Sequence, residues 1–271
     1  MKLRSYPDGP DLDHASVGKQ PNMLRALIGI PAASLKKGGT IMTFTEELRR
    51  ENEDIFSLIF DHPFVQGIGK GDVPEEALAH YIKADYEYLN AFMKIYGIAI
   101  SKSSSREDIA YFNKQIDFVL HSEIHPHNNF CEVIGVSYED LQGYPLPPTA
   151  DHYIKHMMAH AQLGTLGEII AALLPCPWTY FEIGRELIKQ YSPSEDHPFF
   201  PWITFYAEQR VEDVVLVMRE RLDALAESAS EQEKQRMKEA FRKSCQLEWS
   251  FWEMAFSCEK WITEKEAAVH E

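Results

Sequence analysis

From Met42 onward, apolar residues recur every three or four positions with polar runs between them, the period of helices that bury one face. Thr43 or Thr45 can cap a first helix running to about Asp61. Pro74 followed by Glu75 and Glu76 makes a first turn free of cations, suited to the positive end of the helix dipole, and that helix runs to about Lys102. Ser105 opens the next, which ends near Gly135, with Pro126 expected to kink it. A Pro-rich loop (Pro145, Pro147, Pro148) leads to a helix from Thr149 to Pro175, followed by helices at about 178–191, 199–228 and 230–263. Strand-like alternation is essentially absent, and no repeat or second composition boundary appears. The expectation is an all-α fold, a single-domain helical bundle over residues 42–263, with 264–271 a C-terminal tail.

The informative positions interrupt the apolar stripes. On the second helix the inward residues read Leu78, Tyr81, Asp85, Tyr88 or Leu89, Phe92, Ile95 and Ala99. Asp85 thus falls where the stripe calls for an apolar side chain. On the last helix the stripe reads Phe241, Cys245, Glu248, Phe251 or Trp252, Ala255 and Ile262, and Glu248 is out of place in the same way. A buried carboxylate must find a partner or be neutralised. One such residue can be a structural hydrogen-bonded group; two, each beside aromatics, point to a polar pocket inside the bundle.

Cys176 is distinctive for another reason. In Leu173-Leu174-Pro175-Cys176-Pro177-Trp178 the prolines are expected to end one helix and begin another, leaving Cys176 at a helix N-terminus. Unpaired backbone N–H groups and the dipole there favour a thiolate. Cys245 and Cys258 sit mid-stripe and read as core, as does Cys131. Tyr88 lies one turn from Asp85, Tyr153 begins the inward face of its helix, Tyr180 is one turn past Cys176, and Tyr206 closes an aromatic segment that starts at Phe200. Each buried tyrosine hydroxyl needs a partner, so tyrosines gathered with two carboxylates suit a flat, polar heteroaromatic ligand.

Charge narrows the partners. The net charge of −15 argues against nucleic acid, and no polybasic patch or apolar run long enough to span a membrane is present. Small molecules and copies of the chain itself remain as partners. The four cysteines show no CxxC pairing, which fits reduced thiols in a cytoplasmic protein. Residues 1–41 differ from the rest: Gly- and Pro-rich, without helical period, and carrying six cations against three acids. They are expected to be a disordered or mis-called N-terminal extension. Lys36-Lys37-Gly38-Gly39 just ahead of Met42 has codons that can spell a ribosome-binding site, with translation starting at Met42.

Four segments, in order, resemble the TenA or thiaminase II family of aminopyrimidine hydrolases over about residues 42–262: His62-Pro63-Phe64-Val65-Gln66-Gly67-Ile68-Gly69, Asp85-Tyr86-Glu87-Tyr88-Leu89, Ala171-Ala172-Leu173-Leu174-Pro175-Cys176-Pro177-Trp178 and Glu248-Trp249-Ser250-Phe251-Trp252-Glu253-Met254-Ala255. The resemblance implies a helical bundle of the haem oxygenase-like type, a homotetramer, and no cofactor. It implies hydrolysis of the C–N bond at the exocyclic methylene of a 4-amino-2-methylpyrimidine, either aminomethylpyrimidine or thiamin, giving hydroxymethylpyrimidine for thiamin salvage. By motif position, Cys176 matches the family's nucleophile, Asp85 and Glu248 its two carboxylates, and Tyr88, Tyr153, Tyr180 and Tyr206 its pocket tyrosines. Glu248 is expected to donate the proton and Asp85 to anchor the ring.

Two other function classes compete. A metal-binding bundle would use Glu123 with His127, Asp117 with His121, or the face carrying His152, His156 and His160, since i,i+4 spacing can place two ligands on one ion. The paired Glu-x-x-His motifs of di-iron bundles are absent from the sequence, and no metal site is expected. The bland alternative is a buried Glu123–His127 hydrogen bond and a half-exposed histidine face. A non-catalytic pyrimidine-binding protein would have no need for the thiol that stands with both carboxylates here.

Overall fold

The structure is a computed structural model that describes residues 42–122, 124–143 and 145–263. The expectations for residues 1–41, for Glu123 and for the 264–271 tail lie outside the described residues. Helix α1 (Phe44–Glu51) starts with a reciprocal capping box: the Glu46 N–H donates to Thr43 Oγ1, and the Thr43 N–H donates to the Glu46 carboxylate at 2.8 Å. Asn52 then turns its amide back onto the Leu48 carbonyl at 2.7 Å, separating α1 from α2 (Glu53–Phe60). His62 caps α3 (Pro63–Lys70), its Nδ1 accepting from the Phe64 N–H, and Gly71 ends that helix at φ 80°, in the left-handed region that glycine tolerates.

The long helix α4 (Glu75–Lys102) turns sharply into α5 (Arg106–His121), which Ser105 caps. Next come α6 (Ile124–Ile134), a single 3₁₀ turn (Glu139–Leu141), α7 (Pro148–Leu163) and α8 (Leu166–Leu173). They are followed by α9 (Pro175–Tyr191), α10 (Phe200–Ala207), α11 (Gln209–Ser228) and α12 (Glu231–Phe256). Strands are absent among the described residues, as expected. The helix α4 packs on α5, α6, α7 and α12, while α12 also covers α8 and α9. These two helices therefore run through the middle of the bundle and carry the two anomalous carboxylates.

Several helices expected to be continuous are broken, each for a local reason. Pro126 does not kink a long helix; the chain breaks near Ser122 and Pro126 falls in the first turn of α6, where a missing N–H costs nothing. Gly164 and the Thr165 cap divide the segment expected to run unbroken from 149 to 175. An extended Glu208 separates α10 from α11. The last helix ends at Phe256 rather than 263, so Ile262 is 77% exposed and not part of the stripe. Cys258 lies outside α12 and is half-buried, whereas Cys131 and Cys245 are core as expected.

Candidate active site

Asp85 is 5% exposed on α4, and its Oδ2 is hydrogen-bonded to His127 Nε2 of α6 at 2.6 Å. The His127 ring in turn stacks on Tyr138, 5.3 Å between centroids and 8° from parallel. The imidazole is clamped between a carboxylate and an aromatic face, and this fixes the carboxylate rotamer as well.

Glu248 is 3% exposed on α12 and accepts a hydrogen bond from the Tyr153 hydroxyl of α7 at 2.5 Å. Burial pushes its pKa up to about 8; the Tyr153 hydrogen bond works against this, and the Asp85 charge adds to it. Glu248 therefore holds a proton at neutral pH. Tyr153 packs against Tyr88, 5.1 Å between centroids, and the Tyr88 hydroxyl donates to Met157 Sδ at 3.7 Å. Burial raises the pKa of both tyrosines well above the usual value, with Cys176 and Glu248 nearby adding to the shift. Both remain neutral hydroxyl donors.

Cys176 is half-buried in the first turn of α9. The expected clean break before it is instead a bend: Leu174 keeps helical angles (φ −58°, ψ −36°), and the Trp178 N–H bonds the Leu174 carbonyl at 3.2 Å. Pro175 and Pro177 lack N–H groups, which leaves α8 carbonyls without their usual partners. The carbonyls concerned are those of Ala171 and Leu173; between them, the Ala172 carbonyl accepts from the Ser244 hydroxyl of α12 at 2.7 Å. The bend turns the start of α9 inward, so that Tyr180 meets Tyr81, hydroxyl to hydroxyl, at 2.6 Å. Tyr81 lies stacked on Trp252, and Tyr180 packs on Tyr206 at 4.9 Å between centroids.

These elements enclose a narrow cavity of about 50 Å³ whose wall includes Asp85, Tyr88, Cys176, Pro177, Tyr180 and Tyr206. Glu248 and Tyr153 are not part of that wall; Glu248 stands close enough to it that the Asp85 charge raises its pKa. The arrangement offers a thiol, an oriented carboxylate, a buried carboxylic acid and aromatic faces.

The family model described as TENA/THI-4/PQQC matches residues 48–257. The chain belongs to that family. An aminopyrimidine aminohydrolase of Staphylococcus saprophyticus is 34% identical over 222 residues, covering 81% of this chain and 96% of the relative. The enzyme of the same name from Staphylococcus aureus is 33% identical over 223 residues, with the same coverage of both chains. Among solved structures, a TenA homologue from P. horikoshii superposes with a TM-score of 0.71 at 25% identity, over 79% of this chain and 99% of that one. A Shewanella denitrificans domain of unknown function, described as having a heme oxygenase-like fold, matches at TM-score 0.62 and 13% identity, over 79% of this chain and 92% of its own. That last match concerns the fold alone, and it agrees with the haem oxygenase-like bundle expected from the resemblance.

Of the residues expected at the site of this TenA-family chain, five line one cavity, and Glu248 with Tyr153 stands just outside it. Sequence reading missed three partners. The spacing pairs His127 with Glu123 or with a metal; its Nε2 holds Asp85, while Glu123 lies outside the described residues. Tyr81 precedes Asp85 by one turn on the same face and engages Tyr180; its place in the stripe was visible, but its hydroxyl partner was not. Tyr138, in a loop, gave no sequence signal. Among the described residues no group of three or more His, Cys, Asp or Glu side chains is placed to hold a metal ion. The histidine face of α7 has other partners: His156 bonds the Ala240 carbonyl and Ser244, and His160 approaches Glu168 at 3.6 Å.

Proposed function

We propose that this chain hydrolyses the C–N bond at the exocyclic methylene of 4-amino-2-methylpyrimidines, releasing an amine and forming hydroxymethylpyrimidine. The carrying observation is the grouping of a half-buried thiol, Cys176, with two buried carboxyl groups: Asp85 held by His127, and Glu248 with its pKa raised to about 8. The relatives named aminopyrimidine aminohydrolases span nearly their whole length in this alignment, which supports the same chemistry here.

The chemistry follows from the bond. A C–N bond on a ring methylene resists cleavage while the ring stays aromatic. The Cys176 thiolate adds to the neighbouring ring carbon, forming a C–S bond, and Glu248 delivers its proton to a ring nitrogen. With aromaticity lost, the ring electrons expel the protonated amine and leave an exocyclic alkene. Water adds to that alkene as its oxygen forms the new C–O bond and its surplus proton passes to the released amine; the C–S bond breaks, and the ring nitrogen returns its proton to Glu248. Asp85, held through Oδ2 by His127, presents its other oxygen to the amidine edge of the ring. Tyr88, Tyr180 and Tyr206 in the cavity wall supply flat faces and hydroxyls, and Tyr153 behind Tyr88 holds Glu248.

Purified protein incubated with aminomethylpyrimidine and, separately, with thiamin tests the reading. Hydroxymethylpyrimidine is expected from at least one of them, and folded protein that forms it from neither contradicts the proposal.

A further inference from the structure

The cavity wall extends well past Asp85 along the bundle. From Asp85 its wall follows α4 through Leu89 and Phe92 to Tyr96, about 16 Å along the axis at 1.5 Å per residue. The opposite wall is α5, which runs antiparallel: Phe112 packs on Tyr96 at 5.9 Å between centroids, and the chain then returns towards the Asp85 end. Gln115, three residues past Phe112, lies level with Phe92, about 10 Å along α4 from Asp85. Its neighbours in the wall are apolar: Phe118, Val119, Val211 and Val214.

Gln115 is the anomaly of α5. It occupies the inward stripe with Tyr111 and Phe112, is 5% exposed, and lines the cavity, while no other described residue hydrogen-bonds its carboxamide. A carboxamide has two donors and an acceptor oxygen that a bound ligand can engage. With the ring anchored at Asp85 and its methylene directed along α4, the substituent on that methylene would face Gln115.

Resting on the hydrolysis proposed above, we infer that Gln115 is the leaving-group recognition residue, and that it selects departing nitrogens that carry hydrogen. Its Oε1 accepts from the N–H of a primary amine. A quaternary ring nitrogen, as in thiamin, has no hydrogen to donate and gains nothing from this contact. A site built to hydrogen-bond one substrate discriminates against an analogue that lacks the bond.

The test compares wild type, Gln115→Leu and Gln115→Glu for kcat/KM on aminomethylpyrimidine and on thiamin, and for Kd of 4-amino-2,5-dimethylpyrimidine, which has the ring but no leaving group. Gln115→Leu is expected to lower kcat/KM for the amine at least ~10-fold. Its affinity for the dimethylpyrimidine should stay within about threefold, which also reports an intact fold, and any thiamin turnover should fall less than turnover of the amine. Gln115→Glu keeps an acceptor oxygen and should recover most of the loss. Unchanged amine turnover in Gln115→Leu, or parallel losses in amine turnover and dimethylpyrimidine affinity, would overturn the role of Gln115 and leave the hydrolysis standing. A wild type inactive on both substrates would overturn the hydrolysis itself.

Discussion

Glu248 is buried on α12 between the Tyr153 hydroxyl and the field of Asp85, and its protonation sets two measurable pH dependences. In the unfolded chain a glutamate loses its proton near 4.5, whereas in the folded chain this one holds it to about 8. Between those values the folded state binds one more proton than the unfolded state. The Glu248 contribution to stability is therefore fully present at low pH and declines as pH rises through this window, at up to about 1.4 kcal/mol per unit. Glu248→Gln should flatten that decline in urea melts run at about pH 5 and about pH 8, and it should also remove turnover. If Glu248 is the acid, kcat falls as pH rises through about 8. The Tyr153 hydroxyl holds that pKa down, so Tyr153→Phe should move this limb to higher pH. An unmoved limb would assign the ionisation to another group. Cys176, Asp85 and Glu248 were all legible in the sequence because each breaks a local pattern. The Asp85–His127 and Tyr81–Tyr180 pairs were not, because each joins residues 42 and 99 positions apart and no periodicity encodes which side chains meet across a bundle.

At the scale of the helix, α9 does most of the positioning. Its proline-bent start carries Cys176, and Gly184 near its middle lets α10 approach. A Cβ at Gly184 would lie 2.8 Å from the Ala207 nitrogen and 2.9 Å from the Tyr206 carbonyl carbon, both backbone atoms that cannot swing aside. Gly184→Ala should destabilise the protein by about 1–3 kcal/mol, seen as a lower Tm. It should also raise KM more than a surface substitution of equal cost, because Tyr206 is displaced from Tyr180. A Tm within a degree or two of wild type would mean that α10 is free to shift. The positions of the helices were readable from their stripes, but their breaks were not. Asn52 reads as a helical surface residue and becomes a break only because its amide folds back on Leu48. Pro126 reads as a kink and becomes a first-turn residue because the chain has already broken before it. The Ser244 hydroxyl that reaches the Ala172 carbonyl beside the bend comes from a helix some seventy residues away in sequence.

Across the whole molecule, the bundle buries a chain of aromatic contacts, Tyr180 and Tyr81 meeting at Trp252, that ties α4, α9 and α12 together behind the cavity. Among the described residues no helix is long and apolar enough to cross a membrane. The family match begins at residue 48, and the capping box at Thr43 closes the first described helix on its own residues. A chain cut to residues 42–263 should therefore fold and turn over substrate within about twofold of the full chain; loss of cooperative melting would assign residues 1–41 a part in the fold. In the proposed reaction the bundle meets its substrate through one sulfur atom, that of Cys176. The most direct test is the rate of hydroxymethylpyrimidine formation by Cys176→Ser beside wild type, on whichever pyrimidine the wild type turns over. Serine is nearly isosteric but far less nucleophilic, and the account predicts a loss of at least ~10²-fold in kcat with ring affinity little changed. Turnover by Cys176→Ser equal to wild type would contradict it.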